Sequence, residues 1–143
     1  MSTARRIIVG IDDSANSRAA LRWAIDNSTA DDTLVALNVW HTPATGGFEM
    51  GMLDPAVFEE GARETLEAVV ADVVADGERN RVQRIVVGGH APSVLIAESR
   101  EADLLVLGAR GHGGFTGMLL GSVTNSVAHH AACPVVIVPT PED

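Results

Sequence analysis

The chain has no lysine: all ten of its basic residues are arginines. A Schiff-base lysine and the lysine of a phosphate-binding P-loop are therefore both excluded. Cysteine is almost as scarce. The single Cys133 has no partner for an internal disulfide, which suits a reducing compartment. It reads either as a small buried hydrophobe or as a reactive thiol. Long apolar runs are missing as well, so the expectation is a soluble domain with no membrane partner. The first six residues lead into a short apolar run with no small-residue cleavage site, which gives no sign of a signal peptide and makes the cytoplasm the expected location. Basic charge is in short supply: nineteen acidic residues against ten basic give a net charge of -9, which argues against a nucleic-acid partner. No linker, low-complexity tract or internal repeat interrupts the 143 residues. Residues 1–143 are thus expected to form one domain, a size that buries roughly 68% of the unfolded surface.

The residues that are present are unevenly placed. Nine carboxylates and one arginine, Arg63, fall within residues 49–78, whereas residues 104–141 hold no Asp or Glu and keep Arg110. The second stretch is where an anion would sit, unless it is simply buried. Five short apolar runs at residues 7–11, 34–39, 85–88, 104–107 and 135–138 are near-continuous and rich in Val and Ile, as parallel strands covered on both faces require. Helical spacing lies between them. Ser14 is a good N-cap for a first helix ending near Asn27, with Ala20, Leu21, Ala24 and Ile25 on one face. Pro55 opens a second, striped by Phe58, Ala62, Leu66, Val69, Val70 and Val73 and closing near Gly77. A third runs from about Pro92 to Glu101, and a fourth from Ser122 to His130. Strand–helix alternation of this kind predicts an open, doubly wound parallel α/β sheet. Its ligand site is expected beyond the carboxyl ends of the strands, joining the loops after strands one and four. The irregular stretch 40–54, with Gly46, Gly47 and Gly51, is long enough to be functional.

Strand four runs into a glycine-rich turn, residues 108–122, whose Gly108, Gly111 and Gly121 are followed by Ser122 and a helix. Glycine is wanted where the backbone takes positive φ or approaches a ligand closely, and a helix N-terminus offers unpaired N–H groups. Together they make a phosphate cradle. Ser122 either caps the helix or donates to a phosphate oxygen, and Arg110 and His112 either touch phosphate or face solvent. The glycines follow strand four and not strand one, which sets aside a dinucleotide-binding fingerprint, and the surroundings of Ser122 are not a nucleophile elbow.

The spacing Gly, two residues, Gly, nine residues, Gly-Ser resembles the universal stress protein family, in its ATP-binding branch. So do residues 8–14 (Ile-Val-Gly-Ile-Asp-Asp-Ser), 37–39 (Leu-Asn-Val), 102–108 (Ala-Asp-Leu-Leu-Val-Leu-Gly) and 133–138 (Cys-Pro-Val-Val-Ile-Val). The resemblance implies a flavodoxin-like fold of the adenine nucleotide alpha hydrolase-like type: five parallel strands ordered 3-2-1-4-5, helices on both faces. It implies ATP as the ligand; which metal accompanies it, magnesium or manganese being the candidates, stays open. Carried over by position, Gly108, Gly111, Gly121, Ser122 and Val123 contact the triphosphate and ribose, Asp12 lies near the ribose or adenine, and the Val39 backbone reads the adenine edge beside an apolar wall at Ile11. It further implies a homodimer through the last strand, residues 135–138, an apolar edge that pairing would protect. The chain departs from the family's commonest pattern at Asp13, where glycine often sits, and at Asn38, where histidine often precedes Val39.

For Asp12 a role as dipole partner of the first helix stands beside the ligand role. Asp13 adds a carboxylate that either repels phosphate or helps hold a divalent cation. His129 and His130, being adjacent, point to different helix faces and cannot share a metal; they read as helix C-terminal charges or core edges. Trp23 reads as packed and Trp40 as a border of the adenine pocket. No dedicated base for hydrolysis is evident, so no catalytic residue is assigned. The expected role is a nucleotide-responsive regulator of stress adaptation. The alternatives are a slow metal-dependent ATPase and a dimerising module that binds AMP, a cyclic nucleotide or nothing.

Overall fold

The five apolar runs form one sheet in the computed structural model, which describes residues 4–41, 54–110 and 120–139. In chain order the elements are β1 (Arg6–Gly10), α1 (Ala15–Asp26), β2 (Thr33–Trp40), α2 (Pro55–Val73), a 3-10 helix (Asp76–Arg81), β3 (Val82–Gly88), α3 (Ala91–Ser99), β4 (Leu104–Gly108), α4 (Ser122–His130) and β5 (Val135–Val138). Every strand pair is parallel and the order is β3-β2-β1-β4-β5, as expected for the flavodoxin-like arrangement. Strand order reverses where β1 lies between β2 and β4.

The strands read as continuous apolar runs because both faces of the sheet are covered. Alternate residues serve alternate layers. Ile7 and Val9 of β1 pack with Leu34 and Ala36 of β2 against Leu21 and Ala24 of α1 and Leu66, Val69 and Val70 of α2. Ile8, with Val35, Leu37, Leu105 and Leu107, packs on the opposite face against Leu95 of α3 and Val127 of α4. The apolar stripe of α2 therefore faces the core as its spacing predicts, and Trp23 packs at the margin of the first layer.

Helix α2 stops earlier than the sequence suggests. It ends at Val73, Gly77 falls inside the 3-10 helix, and the stop comes from tertiary contact: Arg79 donates from Nε to the Val74 carbonyl and from Nη2 to that of Ala71, at 3.0 and 2.9 Å. An arginine returning to cap the last carbonyls replaces a glycine C-cap. At the amino ends of the strands, buried Asp32 joins β1 to β2. Its carboxylate accepts from the Arg5 guanidinium, the Arg5 N–H and the Thr29 N–H, at 3.0, 3.0 and 2.9 Å. These donors, the guanidinium first, hold the Asp32 carboxyl well below the usual carboxylate range. Among the described residues, no helix is long and apolar enough to cross a membrane.

Candidate functional site

A cavity of about 200 Å³ opens at the carboxyl ends of β1 and β4, where the strand order reverses. Open α/β sheets place ligands at this switch point. Its lining is of two chemical kinds. Ile11, Leu37, Val39, Leu95 and Leu107 supply apolar wall; Asp12, Ser14, Ser17, Arg110 and the first residues of α4 supply polar groups. Leu37 and Val39 share it because they are two apart on β2 and so face the same side.

The polar wall is built around the start of α4. Ser122, Val123 and Thr124 form its first turn, and their N–H groups have no partner within the helix. At α1 the Ser14 hydroxyl accepts from the Ser17 N–H, and at α2 the Asp54 carboxylate accepts from the Ala56 N–H. The N-cap of α4 is Gly121, and among the described residues no side chain caps it. Its positive end thus opens on the cavity, with Arg110 also on the wall. Ser122 is the first helical residue, not the N-cap, and its side chain is free of the capping role.

Three hydrogen bonds fix this turn to the sheet. Gly121 N–H donates to the Ala109 carbonyl at 2.7 Å, Ala109 N–H to Val138 at 2.8 Å, and the buried Thr124 hydroxyl to Gly108 at 2.7 Å. Gly108 is required for a reason the sequence does not reveal. A Cβ there would lie 2.6 Å from Cβ of Asn16 and 2.8 Å from its backbone, so the first turn of α1 seats directly on the glycine. Neither Gly108 nor Gly121 has positive φ; among the described residues only Gly89 does, at 148°.

Asp12 holds the entry to α1. One carboxylate oxygen accepts from the Ser14 N–H at 2.8 Å and from the Ser14 hydroxyl, while the Asp12 carbonyl accepts from Ser17 Oγ at 2.7 Å. The residue leads the chain into α1 and borders the cavity at once. Asp13 turns away: it is exposed, pairs with Arg18 at 3.7 Å and is absent from the cavity wall. Among the described residues, no three His, Cys, Asp or Glu side chains are grouped to hold a metal ion.

Of the residues expected at a nucleotide site, Ile11, Asp12, Val39, Gly108, Arg110, Gly121, Ser122 and Val123 all border this cavity. Gly111 and His112 lie outside the described residues, as does most of the 40–54 stretch. Trp40 does not border the cavity. Its ring covers Gly88, where a Cβ would come within 2.8 Å of it, because Trp40 follows Val39 on the strand and points to the other face. His129 and His130 are exposed, and their Nδ1 atoms lie 2.7 and 2.9 Å from the Asn125 and Ser126 carbonyls, which makes them helix-end groups and not core edges. Cys133 is half-buried; burial first, and then the charge of Asp103, pushes its thiol up, away from reactive thiolate. Sequence reasoning missed Gly10, Leu37, Leu95, Leu107, Ser17 and Thr124. Two-residue alternation back from Val39 finds Leu37; the helix contributions have no local signal.

Fold and cleft together define an open α/β domain of flavodoxin-like type with a cavity at its switch point, bordered by the first turn of α4. The chain belongs to the universal stress protein family, which it matches over residues 3–139. It is 35% identical over 138 residues to a universal stress protein of Mycolicibacterium smegmatis, covering 92% of this chain and 47% of that one. The chain thus spans about half the length of the curated relatives it matches. Among solved structures, the hypothetical protein MJ0577 shares the fold at a TM-score of 0.78, with 22% identity over 97% of this chain and 98% of that one. A universal stress protein solved in complex with cAMP superposes at a TM-score of 0.59, with 26% identity over 98% of this chain and 100% of its own.

Proposed function

We propose that the chain binds ATP in the switch-point cavity and acts as a nucleotide-responsive regulator in stress adaptation. The observation that carries this reading is the first turn of α4: an uncapped helix N-terminus, begun by a glycine and hydrogen-bonded to β4, opens on a cavity that also carries Arg110. Such a terminus suits a phosphate chain. The apolar wall of Ile11, Leu37 and Val39 suits a base, and Asp12 lies between the two kinds of wall in chemistry, able to accept from ribose hydroxyls. Gly111 and His112 complete the phosphate side in this reading, and magnesium or manganese accompanies the nucleotide. The site residues would bind and orient ATP; none is assigned a catalytic role.

The homodimer belongs to the same proposal. β5 is an edge of the sheet, and Val135–Val138 are only half-buried, so a second copy paired along it would cover an apolar edge. A cytoplasmic setting accompanies this reading. The cAMP complex of the 26% identical neighbour favours a second reading, in which AMP or a cyclic nucleotide occupies the same cleft. Mass spectrometry of the nucleotide that co-purifies with the native protein separates the two: ATP supports the first, AMP or a cyclic nucleotide the second. Turnover assays with magnesium or manganese test the slow-ATPase alternative, and a regulator without that activity gives no more phosphate release than a Gly121→Val variant.

A further inference from the structure

The peptide of Val39 is placed by ladder geometry. In a parallel pair, a residue donates its N–H to one residue of the neighbouring strand and accepts at its carbonyl from the residue two further along. Ile11 N–H donates to the Leu37 carbonyl at 2.8 Å, so the next rung would run from Val39 N–H to the Ile11 carbonyl. Among the described residues that rung is not made. The Ile11 carbonyl accepts instead from Nδ2 of Asn38, 3.0 Å away. Asn38 is buried, at 8% exposure. The Trp40 carbonyl accepts from Gly89 N–H at 2.8 Å, so the Trp40 peptide faces β3 and the Val39 peptide faces the other way, toward Ile11 and the cavity they share.

We infer that Asn38 is a positioning residue that sets base selectivity. By taking the Ile11 carbonyl, it deprives Val39 of its ladder partner and leaves the Val39 N–H and carbonyl side by side as a donor–acceptor pair at the cavity wall. That pair is complementary to the ring-nitrogen acceptor and amino donor of a 6-aminopurine. A 6-oxopurine presents the reverse pattern, a ring N–H and a carbonyl, and meets donor with donor and acceptor with acceptor. A site that hydrogen-bonds its ligand discriminates strongly against an analogue that leaves buried groups unpaired. The same bond fixes Ile11 beside β2 and so holds Asp12 at the cavity. This inference rests on the nucleotide reading above and adds to it the group that selects the base.

The test compares ATP, ITP and tripolyphosphate on the purified protein and on variants at Asn38. The wild type is expected to prefer ATP over ITP by about tenfold or more. Asn38→Leu, which fills the space without a donor, and Asn38→Asp, which keeps the shape but offers only acceptors, are expected to bring that ratio to within about threefold, while tripolyphosphate affinity stays put. Asn38→His restores a ring N–H and is expected to restore the ratio. Retained tripolyphosphate binding certifies the fold of each variant. In the wild type, which has no folding question, the Val39 amide is expected to exchange with solvent faster than the Leu37 amide and to be protected by ATP but not by ITP. An unchanged ATP:ITP ratio in the Leu and Asp variants, or a Val39 amide already protected without nucleotide, overturns the role of Asn38 while leaving ATP binding standing. A wild type that binds tripolyphosphate and neither nucleotide overturns both readings.

Discussion

The Thr124 hydroxyl donates across 2.7 Å to the carbonyl of Gly108, sixteen residues earlier, and the bond is buried. It ties the first turn of α4 to the end of β4, so the N–H groups facing the cavity are held by the sheet. Thr124→Val keeps the shape and removes the donor. It is expected to lower stability by about 1–2 kcal/mol in denaturant unfolding, since the Gly108 carbonyl loses a buried partner. Tripolyphosphate affinity should weaken as well. Unchanged stability would mean that the bond contributes nothing net.

Gly108 and Gly61 make opposite predictions from the same substitution. At Gly108 a methyl group meets the backbone of Asn16 at 2.8 Å, and α1 must shift. Gly108→Ala is expected to cost roughly 1–3 kcal/mol with or without nucleotide. Gly61 lies inside α2 with nothing within 4 Å of its added Cβ. Gly61→Ala is expected to raise stability by about 0.5–1 kcal/mol, because helical glycine carries an entropic penalty and no contact is disturbed. Thermal or denaturant unfolding of the two variants side by side checks both signs.

These two glycines also show where the sequence is informative. The strands are legible because a sheet covered on both faces leaves no polar alternation, and Ile7 to Gly10 or Val135 to Val138 can then be little else. Order 3-2-1-4-5 is legible only through the family resemblance, since no local pattern says which strands neighbour which. The glycine turn is visible as a candidate anion site, but Gly108 is glycine because Asn16, ninety-two residues away in the chain, packs on it. The early end of α2 depends on Arg79 folding back on the Ala71 and Val74 carbonyls. The displacement of Trp40 from the cavity was within reach: Val39 and Trp40 cannot face the same side of a strand.

Asp32 gives the fold a pH dependence with a definite sign. Its folded-state carboxyl is held below the ordinary range, chiefly by the Arg5 guanidinium and then by the Thr29 and Arg5 N–H groups. A depressed carboxyl stabilises the fold above its unfolded-state value of about 3.9, and that contribution is lost as pH falls through the lower folded-state value. Asp32→Asn is therefore expected to lower the thermal midpoint at pH 7, with the gap to wild type closing as the solution is acidified below about pH 4. A gap that is constant from pH 7 to strong acid would contradict this.

Asp12→Asn separates the hold of that residue on α1 from its proposed role at the nucleoside. The amide oxygen can still accept from Ser14, so α1 keeps its start, but the charge offered to a ribose hydroxyl is gone. ATP affinity is expected to fall about tenfold, the size of a charge-assisted hydrogen bond, with tripolyphosphate affinity unchanged or slightly raised. Equal losses for both ligands would place Asp12 in the scaffold and not at the nucleoside.

ATP is proposed to bind at the uncapped start of α4 and the walls beside it. Calorimetric titration of the nucleotide-stripped protein with ATP tests it most directly. Saturable binding at one site per chain is expected, abolished by Gly121→Val, which places a branched side chain at a buried glycine on the cavity wall. No heat and no saturation up to millimolar ATP, or a Gly121→Val variant that binds as well as the wild type, would contradict it.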